Sequence, residues 1–190
     1  MLTLAIEATN PNIPSPGVLV AQDGQVLAEE PLVSEGRHDD LLLPAISNAL
    51  GACQATPKDL SEILVSIGPG GFTATRLVCV AAAMLAELGG ARVLAVPTAI
   101  VGRSSSSSDH FAGRTVLVAL ASKGEQAFLT SFGLDAHAQP ELGRSIGIDE
   151  FRELMSDHEL VLDDGRLPDS FAEVIADAGL ERCSLRLTAH

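Results

Sequence analysis

Apolar runs alternate with polar or glycine-rich breaks, and this pattern divides the chain into short strands and helices. Residues 2–6 form an apolar run suited to a buried strand, and the runs 18–21 and 26–28 flank Asp23-Gly24, a dipeptide that supplies the positive φ of a tight hairpin. Between them, residues 10–17 carry three prolines, which remove donors and predict an irregular loop. From Asp39 onward Leu42, Ile46, Ala49, Leu50 and Cys53 recur at helical spacing, with Pro44 in the first turn. Thr56-Pro57 then reads as an N-cap followed by proline at the first helical position, opening a short helix before a strand at 63–67.

Gly68-Pro69-Gly70-Gly71 turns that strand into a helix over residues 73–88, closed by Gly89-Gly90, and a further strand follows at 92–96. A strand, a turn, a helix and a second strand predict parallel pairing around a crossover helix. From Leu77 to Ala86 this helix is apolar on every face. Such a helix has to be covered all round, either inside the fold or in part by another subunit. Its small residues Ala81, Ala82, Ala83 and Ala86 would let a second helix approach closely.

The serine run 104–108 marks an exposed connection. It divides the chain into a first lobe at 1–103, a connection at 104–113 and a smaller second lobe at 114–190. In the second lobe, strands are expected at 115–120 and 126–132 around Lys123-Gly124-Glu125. Helices near 149–155 and 169–178 follow, around a strand at 159–162. Both lobes are therefore α/β.

Composition narrows the class. With 46% hydrophobic and 19% charged residues the chain is too apolar to be disordered. No apolar run reads as a membrane span, and the N-terminus has no basic leader, so a soluble, cytoplasmic protein is expected. Cys53, Cys79 and Cys183 are odd in number and widely spaced, which predicts buried thiols in a reducing compartment and no disulfide. His38, His110, His137, His158 and His190 lack the spacing that sets two ligands on one helical face, so no metal is expected. The net charge is -13, with no Tyr or Trp and six Phe, which argues against direct nucleic-acid binding.

The candidate chemistry is sparse. A glycine turn opening a helix can aim backbone N–H groups at a phosphate, so Gly68, Gly70 and Gly71 are candidate nucleotide contacts. The turn lacks a P-loop ending and the spacing of a dinucleotide fold, and Pro69 removes one donor, which leaves a purely structural turn as the other reading. Glu7, at the end of the first strand, could reach a nucleotide or metal. His38-Asp39-Asp40 is explained by helix capping, or by a general base whose partner is not evident.

Residues 4–9, His38-Asp39-Asp40 with Leu41–Pro44, the stretch from Ser66 through Gly68-Pro69-Gly70-Gly71-Phe72-Thr73 to Arg76, and residues 93–98 together resemble the bacterial TsaB (YeaZ) family in order and spacing. The resemblance covers residues 1–100, and within the second lobe 116–132. It implies an α/β fold of the actin-like, Hsp70-type ATPase (ASKHA) class in two lobes, the second one short. It also implies a non-catalytic subunit in the making of threonylcarbamoyladenosine on tRNA, pairing with a TsaD-like catalytic paralogue and engaging a TsaE-like ATPase, and forming a homodimer in isolation. The resemblance puts the partner interface on His38, Leu42, Ile46, Leu50, Thr73, Arg76, Leu77, Val80, Ala81 and Met84. No cofactor is assigned to this chain, ATP or Mg being bound by the complex. Glu7 stands where the family has Asp, Ala74 and Val78 replace glycines, and Leu120-Ala121 occupies the place of an expected Asp. The alternatives are an ATP-hydrolysing or peptidase-like enzyme of the same fold, or a divergent homodimer without the modification role.

Overall fold

The structure, a computed structural model, describes residues 1–8, 16–32, 41–105, 111, 113–135, 140 and 143–185. The chain divides into two compact units, Met1–Val101 and Gly102–Arg186.

The first unit is a five-stranded mixed sheet under two helices. Strands β1 (Leu2–Ile6), β2 (Pro16–Gln22), β3 (Gln25–Pro31), β4 (Glu62–Ser66) and β5 (Arg92–Val96) lie in the order β3-β2-β1-β4-β5. Asp23 and Gly24 both take positive φ, and this tight turn folds β2 back on β3. Along β1 every second side chain points to one face, and Leu4 and Ile6 sit in register with Val20 and Val18 on β2 and with Ile63 and Val65 on β4. That face is apolar across three strands. Helices α1 (Leu42–Ala52) and α2 (Phe72–Gly89) cover it, burying Leu42, Ala45, Ile46, Ala49 and Leu50 from one and Val78, Ala81 and Ala82 from the other. Pro44 falls in the first turn of α1, where its missing N–H has no intrahelical acceptor to lose. On the opposite face Glu62 and Arg92, paired across β4 and β5, form an ion pair.

Helix α2 connects two adjacent parallel strands, so its position is fixed at both ends. It stops at Gly90, whose φ of 76° is the left-handed C-cap and whose N–H bonds to the Ala86 carbonyl at 2.7 Å. At Gly89 a Cβ would run into the Pro57 carbonyl oxygen, because the 3-10 turn Pro57–Asp59 packs against the end of the helix. Thr56 caps that turn, its hydroxyl and backbone N–H both donating to Asp59 Oδ2 at 2.7 and 2.8 Å.

The second unit repeats the plan. Strands β6 (Val116–Ala121), β7 (Ala127–Phe132), β8 (Arg144–Ile146), β9 (Leu160–Asp163) and β10 (Glu181–Ser184) lie in the order β10-β9-β6-β7-β8. Read from β8, this is the pattern of the first sheet: three antiparallel strands, then two parallel additions. Helices α4 (Ile148–Leu154) and α5 (Asp169–Asp177) bury Phe151 and Phe171, whose ring centroids are 4.8 Å apart in a tilted arrangement. Helix α3 (Thr98–Ser105) begins in the first unit and ends in the second.

Several expectations change. The cysteines are not core residues: Cys79 is exposed, and Cys53 and Cys183 are half-buried. Ser104 and Ser105, expected to open the connection, belong to α3 instead. By length and composition α2 is apolar enough to cross a membrane, contrary to the reading of the apolar runs, but its place between β4 and β5 accounts for it within the sheet. Strands β8 and β10 and helix α3 are additional. The proline-rich loop and Asp39-Asp40 lie almost entirely outside the described residues.

Two measurements test this architecture. Gly89→Ala is expected to lower stability by about 1–3 kcal/mol in urea unfolding, because the added methyl must displace the Pro57 backbone. The Thr56 hydroxyl and N–H hold the Asp59 carboxyl below the usual carboxylate range. A depressed value stabilises the fold above the usual Asp range and ceases to do so as pH falls through it. Asp59→Asn is therefore less stable than the parent at neutral pH, with a gap that closes in acid; a gap constant across pH would contradict the cap.

Candidate functional site

The glycine turn leaves β4 at its carboxyl end and is tied into the fold by its own polar groups. Gly68 has φ of 95°, a conformation that favours glycine, and an added Cβ there would also approach the Gly70 nitrogen at 3.0 Å. Its carbonyl accepts the Thr98 N–H at 3.0 Å, the Ile67 N–H bonds to the Val96 carbonyl at 3.0 Å, and the buried hydroxyls of Ser66 and Thr98 lie 2.8 Å apart. The start of α3 is thereby laced to the turn. Gly71 is the N-cap of α2, and its carbonyl accepts from both the backbone N–H and the hydroxyl of Thr75 at 2.9 and 3.1 Å.

Glu7 follows β1 at the same end of the sheet. Ile6 is in register with Val65, which sets Glu7 beside Ser66, and its N–H donates to the Gly17 carbonyl at 2.8 Å. The expected nucleotide contacts Glu7, Gly68, Gly70 and Gly71 therefore gather at the carboxyl ends of β1 and β4, where open α/β sheets place ligands.

The expected interface residues separate into two groups. Leu42, Ile46 and Leu50 on α1 and Ala81 on α2 are core, each no more than 4% exposed, so they have no surface to offer a partner. Their helical spacing was read correctly, but it marks the side facing the sheet. Thr73, Arg76, Val80 and Met84 are exposed and Leu77 is half-buried, and Thr73, Arg76, Leu77 and Val80 line a hollow of about 170 Å3. His38 lies outside the described residues.

The outward side of α2 carries most of the apolar surface. Phe72 is 78% exposed, Val80 51%, Met84 63% and Leu88 62%. With Arg76 they form one i, i+4 ridge along the helix, the kind of ridge that packs into the groove of a second helix. Arg76 lies over the Phe72 ring, 5.6 Å from its centroid. Phe72 and Leu88 were absent from the expected interface, although counting in fours from Val80 and Met84 reaches both. Leu43, exposed at 60% on α1, had no such signal, since it sits between Leu42 and Pro44.

In the second unit the polar groups are structural. Asp163 is buried at the end of β9 and takes Arg182 in a bidentate pair, at 2.7 Å from Nε and 3.1 Å from the second nitrogen. Asp164 accepts the Ala121 N–H at 3.2 Å and the Arg166 N–H at 3.1 Å. Burial pushes its carboxyl above the usual range, against the lowering effect of those N–H groups. A carboxylate thus reaches the end of β6, where Leu120-Ala121 had suggested that none was present. His158 Nδ1 lies 2.9 Å from the Leu154 carbonyl, which can only accept, so Nδ1 carries a proton, and Nε2 is hydrogen-bonded with the Ser131 hydroxyl.

A family model described as "TsaD: tRNA N6-adenosine threonylcarbamoyltransferase" matches residues 26–122, just over half of the chain. The chain belongs to that family. The "tRNA threonylcarbamoyladenosine biosynthesis protein TsaB" of Bacillus subtilis (strain 168) is 33% identical over 77 residues, which is 40% of this chain and 32% of that protein. The match thus spans about a third of the relative's length. Among solved structures, a Pseudomonas aeruginosa protein with similarity to peptidase YEAZ superposes with a TM-score of 0.64 at 16% identity, covering 94% of this chain and 90% of its own. YeaZ from Pseudomonas aeruginosa superposes with a TM-score of 0.54 at 21% identity, covering 77% of this chain and 63% of its own. The fold is accordingly actin-like α/β, with one strand order repeated in the two units.

The exposed and buried sides of α2 make opposite predictions. Met84→Arg is expected to leave stability within about 0.5 kcal/mol of the parent, whereas Ala82→Arg, at a fully buried position, is expected to unfold the first unit. Thermal unfolding of the two variants side by side reads the difference.

Proposed function

We propose that the chain acts as the non-catalytic TsaB-like subunit in forming threonylcarbamoyladenosine on tRNA, pairing through α2 with a TsaD-like catalytic paralogue in a complex that also engages a TsaE-like ATPase. The observation that carries this reading is the ridge of Phe72, Val80, Met84 and Leu88. It lines up four large exposed apolar side chains along one helix, more than any other element among the described residues presents. Exposed apolar surface of that continuity marks a contact with another macromolecule. Thr73, Arg76, Leu77, Val80 and Met84 are the contact residues under this reading, joined by Phe72 and Leu88. Membership of the family supplies the class of partner.

The glycine turn supports the same role from another side. Its carbonyls and the neighbouring Ser66 and Thr98 hydroxyls are engaged in fixing the start of α2 and α3. Its work in this chain is to set the pitch and position of the docking helix, and nucleotide chemistry is left to the complex.

Co-purification of the chain with the TsaD-like protein of the same organism tests the proposal. The parent chain is expected to bring the partner down, and Met84→Arg or Val80→Arg to abolish the association while leaving the fold intact by circular dichroism. A charged side chain placed in the apolar centre of such a contact costs several kcal/mol, enough to remove it from a pull-down. Equal recovery of the partner with either variant would reject α2 as the interface.

A further inference from the structure

Each sheet ends in two edge strands, and three of the four are guarded. Strand β3 carries Glu29 and Glu30 and ends at Pro31, β8 has three residues, and β10 reads Glu-Arg-Cys-Ser. Charge, proline and shortness are the devices that keep another chain from pairing with an open edge. The fourth edge, β5, runs uncharged from Val93 to Val96 and is open on both faces. Val93 is 42% exposed on one face and Leu94 36% on the other, and Ala95 is exposed beside Val93.

The ladder to β4 shows which backbone groups of β5 face outward. Arg92 donates its N–H to the Ser61 carbonyl at 3.0 Å, and the Val96 carbonyl accepts the Ile67 N–H at 3.0 Å, so Arg92, Leu94 and Val96 turn their peptide groups toward β4. In a parallel pair the residues between them turn theirs the other way. The N–H and C=O of Val93 and of Ala95 therefore point to the open edge, where no other strand lies among the described residues. A docked helix has no free backbone groups to offer them, whereas an extended segment does.

Charge selects the segment that fits. Lys58 and Arg92 both stand at the amino end of β5, because the Pro57–Asp59 turn packs at Gly89 and Ser61 receives the Arg92 N–H. Lys58 is exposed and takes part in no ion pair among the described residues, while Arg92 reaches Glu62 and keeps 67% of its side chain in solvent. A second β5 paired antiparallel about Leu94 would set this end against Val96-Pro97-Thr98, which carries no carboxylate; a parallel one would set cation against cation. We propose that β5 is a docking edge for an extended segment of another protein, which adds to the first sheet as a further strand. That segment carries apolar side chains on both faces and a carboxylate where it meets Lys58 and Arg92. The surface is distinct from the α2 ridge and does not rest on the role proposed for it.

Selection of random short peptides displayed on phage against the full chain tests it, the selected peptides being synthesised and titrated by calorimetry. Apolar, strand-forming peptides with acidic residues at one end are expected. Ala95→Pro removes an outward-facing N–H and spares the ladder to β4, so the variant is expected to stay folded by circular dichroism and to bind these peptides roughly tenfold or more weakly. Should it unfold, Val93→Lys guards the same edge without touching the backbone and is expected to lose binding equally. Lys58→Glu is expected to weaken the peptides several-fold, more at low salt than at high. The Met84→Arg chain is expected to bind them as the parent does. Failure to select any such peptide, or equal affinity for the parent and the folded edge variant, overturns the proposal. A parent that dimerises in sedimentation equilibrium and loses the dimer on Ala95→Pro also overturns it, by making a second copy the occupant.

Discussion

A helix that crosses over between two neighbouring parallel strands lies on the sheet along one side only, and this constraint governs the first unit. Strands β4 and β5 fix both ends of α2, Gly68 and Gly90 supply the left-handed backbone at its two approaches, and the sheet beneath takes up Val78, Ala81 and Ala82. The sequence of α2 offers apolar residues around the whole circumference, and the geometry can bury only one arc of them. What is left over becomes a surface, and the biology proposed for the chain follows from that surplus.

The two sheets share one strand order but treat the equivalent position after their fourth strand differently. After β4, fastening is done by backbone groups, with the Gly68 carbonyl holding the Thr98 N–H. After β9 it is done by carboxylates, with Asp163 holding Arg182 and Asp164 holding the Ala121 N–H. The first arrangement leaves a helix start rigidly placed. The second takes two acids of a strongly acidic chain and gives each a structural donor.

Most elements were legible because their signals are local. A short apolar run marked β1, the Asp23-Gly24 hairpin marked β2 and β3, and the glycines bracketing α2 marked its limits to within a residue or so. Strand β8 has three residues and β10 reads Glu-Arg-Cys-Ser, so neither shows an apolar pattern to find; both exist because a neighbouring strand has a free edge. The site was harder for a related reason. Spacing tells which residues share a side of a helix and not which side meets the sheet, so Leu42, Ile46, Leu50 and Ala81 were grouped with Val80 and Met84 until the packing separated them. Asp164 filling the place beyond Leu120-Ala121 required a contact across 43 positions of sequence, which no local pattern encodes.

The fully buried side chains that anchor α2 to its sheet are small, one valine and two alanines, with Leu77, Leu85 and Ala86 half-buried against the same core. Small anchors bring the helix close to the strands, and its outward side keeps large apolar residues in solvent. By mass action, anything that binds the folded chain and not the unfolded one raises its apparent stability with concentration. Under the proposed role, the melting temperature of this chain is a property of the solution as much as of the molecule, rising as the outward face of α2 is occupied.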